Sequence, residues 1–523
     1  LGEEFRNSGM TDAGIMVLWR CGKYGFLFFI AMILAGACAP VGPDYRKADL
    51  PVPSCFGSLE AGICTGEQPD KQFLTSWWKE LQDPVLDQLI AAAIESNLDM
   101  RVARARVQQA RALAGISTAR LLPEGGPQAS YDVYRRSDAA VPVQGDGTAP
   151  TTYRRRGELY EVGFDASWEI DIFGGIRREI EAADADLDAS EEALRDVLVT
   201  LQAEVARNYM ELRGQQLRMK IAKRELESRK TNEIISESRF KAGLVNHLEV
   251  SRAQGEVAAA ESRIPSLENA ILAAVHRLGV LLGRDPTSLV TELSQTAALP
   301  EIPDNLRAGL PSELLRQRPD IRKAEREVAA ATARIGVSTA DLFPRFSLTG
   351  YFGYLDDDLE SLSWRSGHFW GMGPSVRWPI LNFKRILSAI EVSEALRDES
   401  LSRYEKTVLL SLEEVENALV VLSREKRRAE SLEVAVQAND DALKLARELY
   451  TAGAESYLAI LDAESALFTA RDELARSRIN RAIGFVSLYK ALGGGWQDLE
   501  PPPEGDGLQG EKNLSNIATQ TGG

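Results

Sequence analysis

Apolar residues recur every three, four or seven positions through two very long stretches of this chain, and almost nothing in either would break a helix. Between Ile176 and Ala242 the one breaker is Gly214; between Lys384 and Tyr450 there is neither glycine nor proline. Leu187, Leu194, Leu198, Leu201, Val205 and Leu212 mark the first seam. Leu401, Tyr404, Val408, Leu412, Val415, Leu419 and Leu422 mark the second. A narrow apolar seam with charged flanks predicts helices that pack as coiled coils, because a globular core needs a wider apolar face. At a rise of about 1.5 Å per residue, each helix would run roughly 100 Å. Both runs end at an Ala-Gly step, Ala242-Gly243 and Ala452-Gly453, and glycine is the residue best suited to close a last helical turn. A second apolar-periodic run follows at once, over Leu244–Leu282 and Ala454–Leu492. Each pair predicts an antiparallel helical hairpin with its tip at the glycine. Pro265 should kink or interrupt the first return helix, since it removes a backbone donor and crowds the preceding turn.

Four shorter segments carry the other period. Gln128–Arg136, Leu159–Ile172, Arg345–Tyr354 and Phe369–Leu381 alternate apolar or aromatic residues with polar ones. Tyr131, Tyr134, Tyr160, Phe164, Trp168, Tyr351, Tyr354, Trp370 and Trp378 make them aromatic-rich. Period two over about ten residues with aromatic ends is the signature of a transmembrane β-strand. It also suits four strands of a soluble sheet, and the spacing alone leaves both readings open. The polar segments Asp138–Arg156 and Leu355–Ser366 would be the connecting outer loops.

These elements occur twice. Residues 99–123 overlay residues 320–344 at an offset of 221, with 12 of 25 positions identical, from Asp99/Asp320 through Gly115/Gly336 to Pro123/Pro344. The match resumes at an offset of 210, where Trp168 meets Trp378, Ala242-Gly243 meets Ala452-Gly453, and Leu282-Gly283 meets Leu492-Gly493. Between the blocks the length changes from 44 residues (124–167) to 33 (345–377), which places the 11 extra residues in an outer loop. A repeated unit this long is no solenoid repeat; it predicts a pseudo-twofold protomer. Each half would supply two strands, and four strands cannot close a barrel. An open edge cannot face lipid, where its amides and carbonyls find no partner. The membrane reading therefore demands assembly, with cyclic symmetry the simplest solution. Two copies give eight strands and a filled interior; three give twelve and room for a pore.

The ends change the picture further. Arg20 and Lys23 precede an apolar run from Tyr24 to Ala35, too short to span a membrane and suited to a signal peptide. Met16 is the expected start of translation, which would leave residues 1–15 outside the protein. Ala35-Gly36-Ala37-Cys38 resembles a bacterial lipobox, with Leu34 one place further from the cysteine than usual. Cys38 is the candidate for acylation, the alternative being an ordinary cleavage site. Ala39 after it, in place of Asp, resembles the pattern of lipoproteins delivered to the outer membrane. A lipid anchors a chain without spanning the bilayer. Cys55 and Cys64 sit in a Gly/Pro-rich stretch, where an oxidising periplasm would let them close a disulfide loop; free thiols in a tether are the other reading. His247, His276 and His368 are far apart in sequence, so no metal site is expected. A net charge of −16 argues against nucleic acid as a partner. In a pore former an acidic balance favours cation passage. The tail, residues 498–523, is poor in apolar residues and is expected to be disordered.

Several ordered motifs then converge. Trp77-Trp78 and Asp83-Pro84 precede Ser167-Trp168-Glu169-Ile170-Asp171-Ile172-Phe173-Gly174. Gly309-Leu310-Pro311-Ser312-Glu313-Leu314-Leu315 runs into Arg318-Pro319-Asp320-Ile321, then Phe343-Pro344 and Ser347-Leu348-Thr349-Gly350. Gly373-Pro374-Ser375, Trp378-Pro379-Ile380 and Leu488–Trp496 complete the set. Across residues 38–497 the chain resembles the TolC-like outer membrane efflux family, in its lipid-anchored OprM/NodT-like branch.

The resemblance implies a mainly α fold with a membrane β-barrel: an internally duplicated protomer, a trimeric 12-stranded barrel, and a long α-helical barrel continuous with it. It implies a signal peptide and leader (1–37), a lipid-anchored segment with part of an equatorial belt (38–82), a first repeat (83–290), a linker (291–310), a second repeat (311–497) and the tail. The protein would be the passive exit duct of a tripartite pump in a Gram-negative outer membrane. Its partners would be two further copies, a periplasmic adaptor, an inner membrane RND-type pump and outer membrane lipids. No catalytic residue and no cofactor beyond the lipid on Cys38 are expected. The family pattern at Tyr457-Leu458-Ala459-Ile460-Leu461-Asp462-Ala463 places Leu458 and Asp462 in a periplasmic gate, where a ring of leucines makes a dry constriction and a ring of carboxylates attracts cations. Arg252, at the position duplicated as Asp462, is a candidate partner for that carboxylate. The adaptor would dock on the hairpin tips, at Gly243, Leu244, Gly453 and Ala454. The contrasting reading is a lipid-anchored periplasmic coiled-coil scaffold without transport, which would need no barrel. A periplasmic enzyme finds no support: the chain has no G-x-S-x-G, zinc signature or phosphate loop.

Overall fold

The computed structural model describes residues 39–53, 56–57, 71–135, 156–303, 316–359 and 367–497. In chain order the elements are α1 (Lys71–Thr75), a 3-10 turn (Trp77–Leu81), α2 (Pro84–Ser96), α3 (Leu98–Ala119), β1 (Glu124–Arg135), β2 (Arg156–Ile170), α4 (Gly175–Lys241) and α5 (His247–Leu281). There follow α6 (Val290–Leu293), α7 (Pro319–Ala340), β3 (Arg345–Asp356), β4 (His368–Arg377), a 3-10 turn (Ile380–Asn382), α8 (Phe383–Thr451) and α9 (Tyr457–Ala491). Contacts gather the chain into two compact units, and each unit draws on both repeats. One comprises residues 1–48, 108–188 and 325–402; the other comprises 49–107, 189–324 and 403–523. Units and repeats are thus different partitions of the chain.

The first unit holds one antiparallel sheet in the order β1-β2-β3-β4. The strands begin and end a few residues from where alternation places them. β4 stops at Arg377, short of the expected Leu381, because Pro379 has no N–H to give a ladder. Helix segments from α3, α4, α7 and α8 complete the unit, with Ala185 packed on Ala329 and Ala330. A strap, residues 39–48, lies across them. Val41 N donates to Phe173 O at 3.0 Å, and buried Arg178 donates to Val41 O at 3.0 Å and to Asp44 at 2.7 Å. Further along the strap, Lys47 pairs with Glu325 at 2.7 Å. The predicted signal peptide, Cys38, Cys55, Cys64, most of both outer loops and the tail lie outside the described residues.

The second unit holds the hairpins α4–α5 and α8–α9. Gly214 does not break α4: a Cβ there would come within 2.4 Å of Ile479 Cγ1, so its absence lets α9 approach closely. Nor does Pro265 interrupt α5, contrary to the expectation from its ring. It is exposed, so the carbonyl it leaves without a donor faces water, while Ile264, Leu267 and Ile271 hold the helix on Met219 and Ala222. The linker after α5 carries the short α6, packed through buried Leu293.

Candidate functional site

The strand register sorts side chains onto two faces, because neighbours across an antiparallel ladder point the same way. Tyr131 pairs with Tyr160, Phe164 with Phe352, Phe352 with Trp370, Val162 with Tyr354, and Gly350 with Met372. That face is apolar and aromatic along most of its length, with Arg135, Arg156, Glu158, Asp356 and His368 at its outer-loop end. Trp370 and Met372 are 74% and 75% exposed, and Val133, Val162, Phe164, Phe352 and Val376 are exposed beside them. The opposite face is more polar: it carries Ser130, Asp132, Glu161, Asp165, Glu169, Arg345, Ser347, Ser375 and Arg377, with Leu159, Tyr351, Leu355 and Phe369 among them. A soluble sheet buries its apolar face under another layer; this one leaves it open, as a strand set facing lipid does. Among the described residues, the outer edges of β1 and β4 pair with no strand.

The hairpin tips are built from one turn used twice. Gly243 and Gly453 have φ of +72° and +73°, which a residue with a Cβ adopts only with strain. Gly243 N donates to Phe240 O and Leu244 N to Arg239 O, both at 2.9 Å; Gly453 N donates to Tyr450 O at 3.1 Å and Ala454 N to Leu449 O at 2.9 Å. These bonds satisfy the last carbonyls of α4 and α8. Gly243, Leu244, Gly453 and Ala454 are all exposed, and nothing lies within 4 Å of a Cβ built on either glycine.

Behind the second tip, Tyr450, Tyr457, Ile460, Leu461 and Leu467 pack with Leu443 and with Ala253 of α5. One carboxylate sits in this apolar stripe. Glu464 accepts from Arg447 at 2.6 Å, Asn232 Nδ2 at 2.7 Å and Ser228 Oγ at 2.9 Å, tying α8 and α9 to α4. Its spacing from Tyr457, Ile460 and Leu467 was the signal in the sequence, a charge on the buried face of a helix. The surroundings are incompletely paired. Ser236 Oγ, Arg239 Nε, Glu249 Oε2 and the hydroxyls of Tyr450 and Tyr457 are buried without a well-formed hydrogen bond. The Tyr457 hydroxyl faces Ser236, yet burial pushes it up to about 12. Arg239 lies over the Tyr450 ring, 4.1 Å from its centre.

Of the predicted gate residues, Leu458 is 47% exposed and Asp462, one turn on, is exposed on the same face of α9. Arg252 is exposed on α5, and within this chain neither it nor Asp462 takes part in a hydrogen bond or ion pair among the described residues. Between the hairpins, a cavity of about 490 Å³ is lined by Arg218, Arg263, Phe468, Asp472 and Arg476. Arg218 grips both oxygens of Asp472 at 2.8 and 3.2 Å. No helix among the described residues is long and apolar enough to cross a membrane.

A family model described as outer membrane efflux protein matches residues 89–284 and again 310–494. The chain belongs to that family. It is 32% identical to the solvent efflux pump outer membrane protein SrpC of Pseudomonas putida, over 91% of this chain and 99% of that protein. It is 30% identical to the cation efflux system protein CusC of Escherichia coli, over 90% and 98%. The solved structure of the outer-membrane channel OprN matches with a TM-score of 0.79 and 37% identity, over 87% of this chain and 99% of that one. This efflux protein is therefore an exit duct of the Gram-negative outer membrane, and the scaffold reading is set aside.

The motifs that carried the resemblance turn out to be joints of this efflux fold. Trp77 is buried and stacks on Tyr489 at 5.7 Å. Asp83 caps α2 through Val85 N at 2.9 Å and also accepts from Tyr209 OH at 2.6 Å. Asp171 accepts from Arg177 N at 2.9 Å, at the turn from β2 into α4. Arg318 clamps Asp320 at 2.7 Å, Glu414 at 2.8 Å and the carbonyl of Ala491 at 2.7 Å.

Proposed function

We propose that three copies of this efflux protein close their sheets into one 12-stranded barrel, continued by a tunnel of twelve helices. Through it drugs or other small molecules would leave the cell, delivered by a periplasmic adaptor and an inner membrane RND-type pump. The observation that carries this reading is the sheet itself, with an exposed apolar band on one face, a more polar opposite face and, among the described residues, two open edges. Such a sheet is stable in lipid only when closed, and twelve strands are the smallest multiple of four that leaves a pore. The duct is passive, with no catalytic step and no cofactor; the pump supplies the energy. SrpC serves solvent efflux and CusC cation efflux, a spread that fits a duct whose cargo is chosen elsewhere.

Acylated Cys38 holds the mature N-terminus in the outer membrane lipids. The strap beginning one residue later is fastened to the unit that contains the strands, which supports this anchor. A Cys55–Cys64 disulfide closes a loop beyond the strap. The adaptor docks at Gly243, Leu244, Gly453 and Ala454, whose exposure supports the assignment. At the periplasmic end, rings of Leu458 and Asp462 form the gate, and Arg252 from a neighbouring copy neutralises the carboxylate when closed. The exposure of all three, and the lack of a partner for Asp462 and Arg252 in their own chain, favour that arrangement. Purified protein in planar bilayers should give discrete single channels, with Leu458→Ala raising open-channel conductance and Arg252→Ala increasing leak. A protein that inserts but never conducts would defeat the duct; unchanged leak in Arg252→Ala would remove that residue from the gate.

A further inference from the structure

The internal duplication is obeyed contact by contact. Trp168 Nε1 donates to Leu121 O at 2.8 Å, and Trp378 Nε1 to Leu342 O at 3.0 Å, so the donor has moved by 210 positions and the acceptor by 221. The β1–β2 pair Ser130 with Glu161 becomes the β3–β4 pair Tyr351 with Gly371 by the same two shifts. The rule therefore translates any contact in the first unit into its counterpart.

Within the first unit, α4 has two neighbouring helices. It meets α3 through Glu179 and Arg120, and α7 through Asp186 with Arg334 and through Phe173 stacked on Phe343 at 4.5 Å. Among the described residues of that unit, its copy, α8, meets only the copy of the first neighbour, α7, where Ser393 bonds Ser338 at 2.8 Å. The counterpart of the α4–α7 seam would join α8 to α3, and it is absent from the chain. The sheet has the same gap: β2 pairs with β3, but β4, the copy of β2, and β1, the copy of β3, are edges. The faces that the missing seam would use are open. A Cβ on Gly336 of α7 would meet Arg178 at 2.7 Å, whereas one on the duplicated Gly115 of α3 meets nothing within 4 Å.

We infer that the seam between neighbouring copies of this chain repeats the α4–α7 seam, with Leu396 packed on Leu113 of the next copy where the chain itself places the Asp186–Arg334 ion pair. The inference rests on the trimeric reading above and adds its register. Phe173 on Phe343 becomes Phe383 on Leu122 of the next copy. In the barrel, Val162 opposite Tyr354 becomes Met372 opposite Val133 of the next copy. Each translated pair is apolar and exposed in the single chain: Leu396 and Leu113 are 51% and 53% exposed. The exchange of an ion pair for two leucines has a physical reason. The seam within a chain is enforced by covalent connection, so it needs only compatibility. The seam between chains must drive association, and burying apolar area does so where a solvated ion pair contributes little.

Cysteine pairs test it in the full-length protein in outer membranes, on a Cys55→Ser, Cys64→Ser background. Mild oxidation of Leu113→Cys with Leu396→Cys should give reductant-sensitive multimers of up to three chains. Neither single variant should do so. Leu113→Cys with Leu387→Cys, nine positions or about 13 Å displaced along α8, should also stay uncross-linked. A second experiment rebuilds the inner seam between copies. Leu113→Arg and Leu396→Asp should each lower the trimer fraction at least threefold on native mass analysis, and the double variant should restore it. If the unaltered protein has the mass of three chains but the designed cysteines do not link, or the double charge variant is no better than the singles, the seam is wrong and the trimer stands. If the unaltered protein has the mass of one chain, the trimeric reading itself falls.

Discussion

Gly243 and Gly453 close their helices with matching hydrogen bonds and nearly the same φ, but the aromatic pairs that flank them lie in different surroundings. At the first tip Phe240 and His247 meet edge to face at 5.4 Å and both are exposed. At the second, the duplicated pair Tyr450 and Tyr457 meet at 5.9 Å and both are buried. Ala253 and Asn232, from the first hairpin, supply part of that cover. Turn geometry is therefore local and survives duplication unchanged, while burial is set by which hairpin lies against which.

The comparison can be broken most directly at the aromatics. Tyr457→Ala should cost about 3 kcal/mol, as deletion of a large buried side chain does, and His247→Ala should stay within about 0.5 kcal/mol. Thermal unfolding of the detergent-solubilised protein measures both, and equal losses would mean that the tips are equivalent after all. Next in size is Glu464→Ala, which leaves Asn232 and Arg447 without their acceptor and should cost about 2 kcal/mol. Its counterpart Gln254→Ala, on an exposed face, should be silent in the same assay. Gly243→Ala and Gly453→Ala should each cost about 1 kcal/mol, and by similar amounts, because the strain resides in the positive φ that both share. A large gap between the two would show that the surroundings reach into the turn.

The smallest effect is one of pH. Burial alone would raise Asp472, but hydrogen bonds and charge from Arg218, with Arg476, hold it below the usual carboxylate range. A depressed folded value adds stability that is present above the ordinary value of 3.8 and is lost as pH falls through the folded one. The link between α4 and α9 should therefore weaken only in strong acid, and Asp472→Asn should flatten that part of the stability profile. Ser262, the duplicated position, offers no such link.

Much of this architecture was legible because it is local or periodic. The Ala-Gly steps located both tips, and period two located all four strands within a few residues. Pro265 does not interrupt α5 because the packing of Ile264 and Leu267, which sequence does not show, outweighs the ring's local conflict. Alternation runs past the end of β4 because period two records side chains and not the backbone donor that Pro379 lacks. Glu464 was passed over: its partners Ser228 and Asn232 lie more than 230 positions away, and nothing local announces them. The choice between a soluble and a membrane sheet needed the register, since only pairing shows that Tyr160, Val162, Phe164, Phe352, Trp370 and Met372 share one face.

The strap has a consequence in time. Its seat is made of Phe173 and Arg178 from the first repeat and of Glu325 and Gly336 from the second. A chain exported from its N-terminus presents the strap first and the last part of the seat some three hundred residues later. Until then the leading segment has only half a berth. Its docking is thus a late event in the biogenesis of each subunit, a latch that closes only once both repeats have arrived.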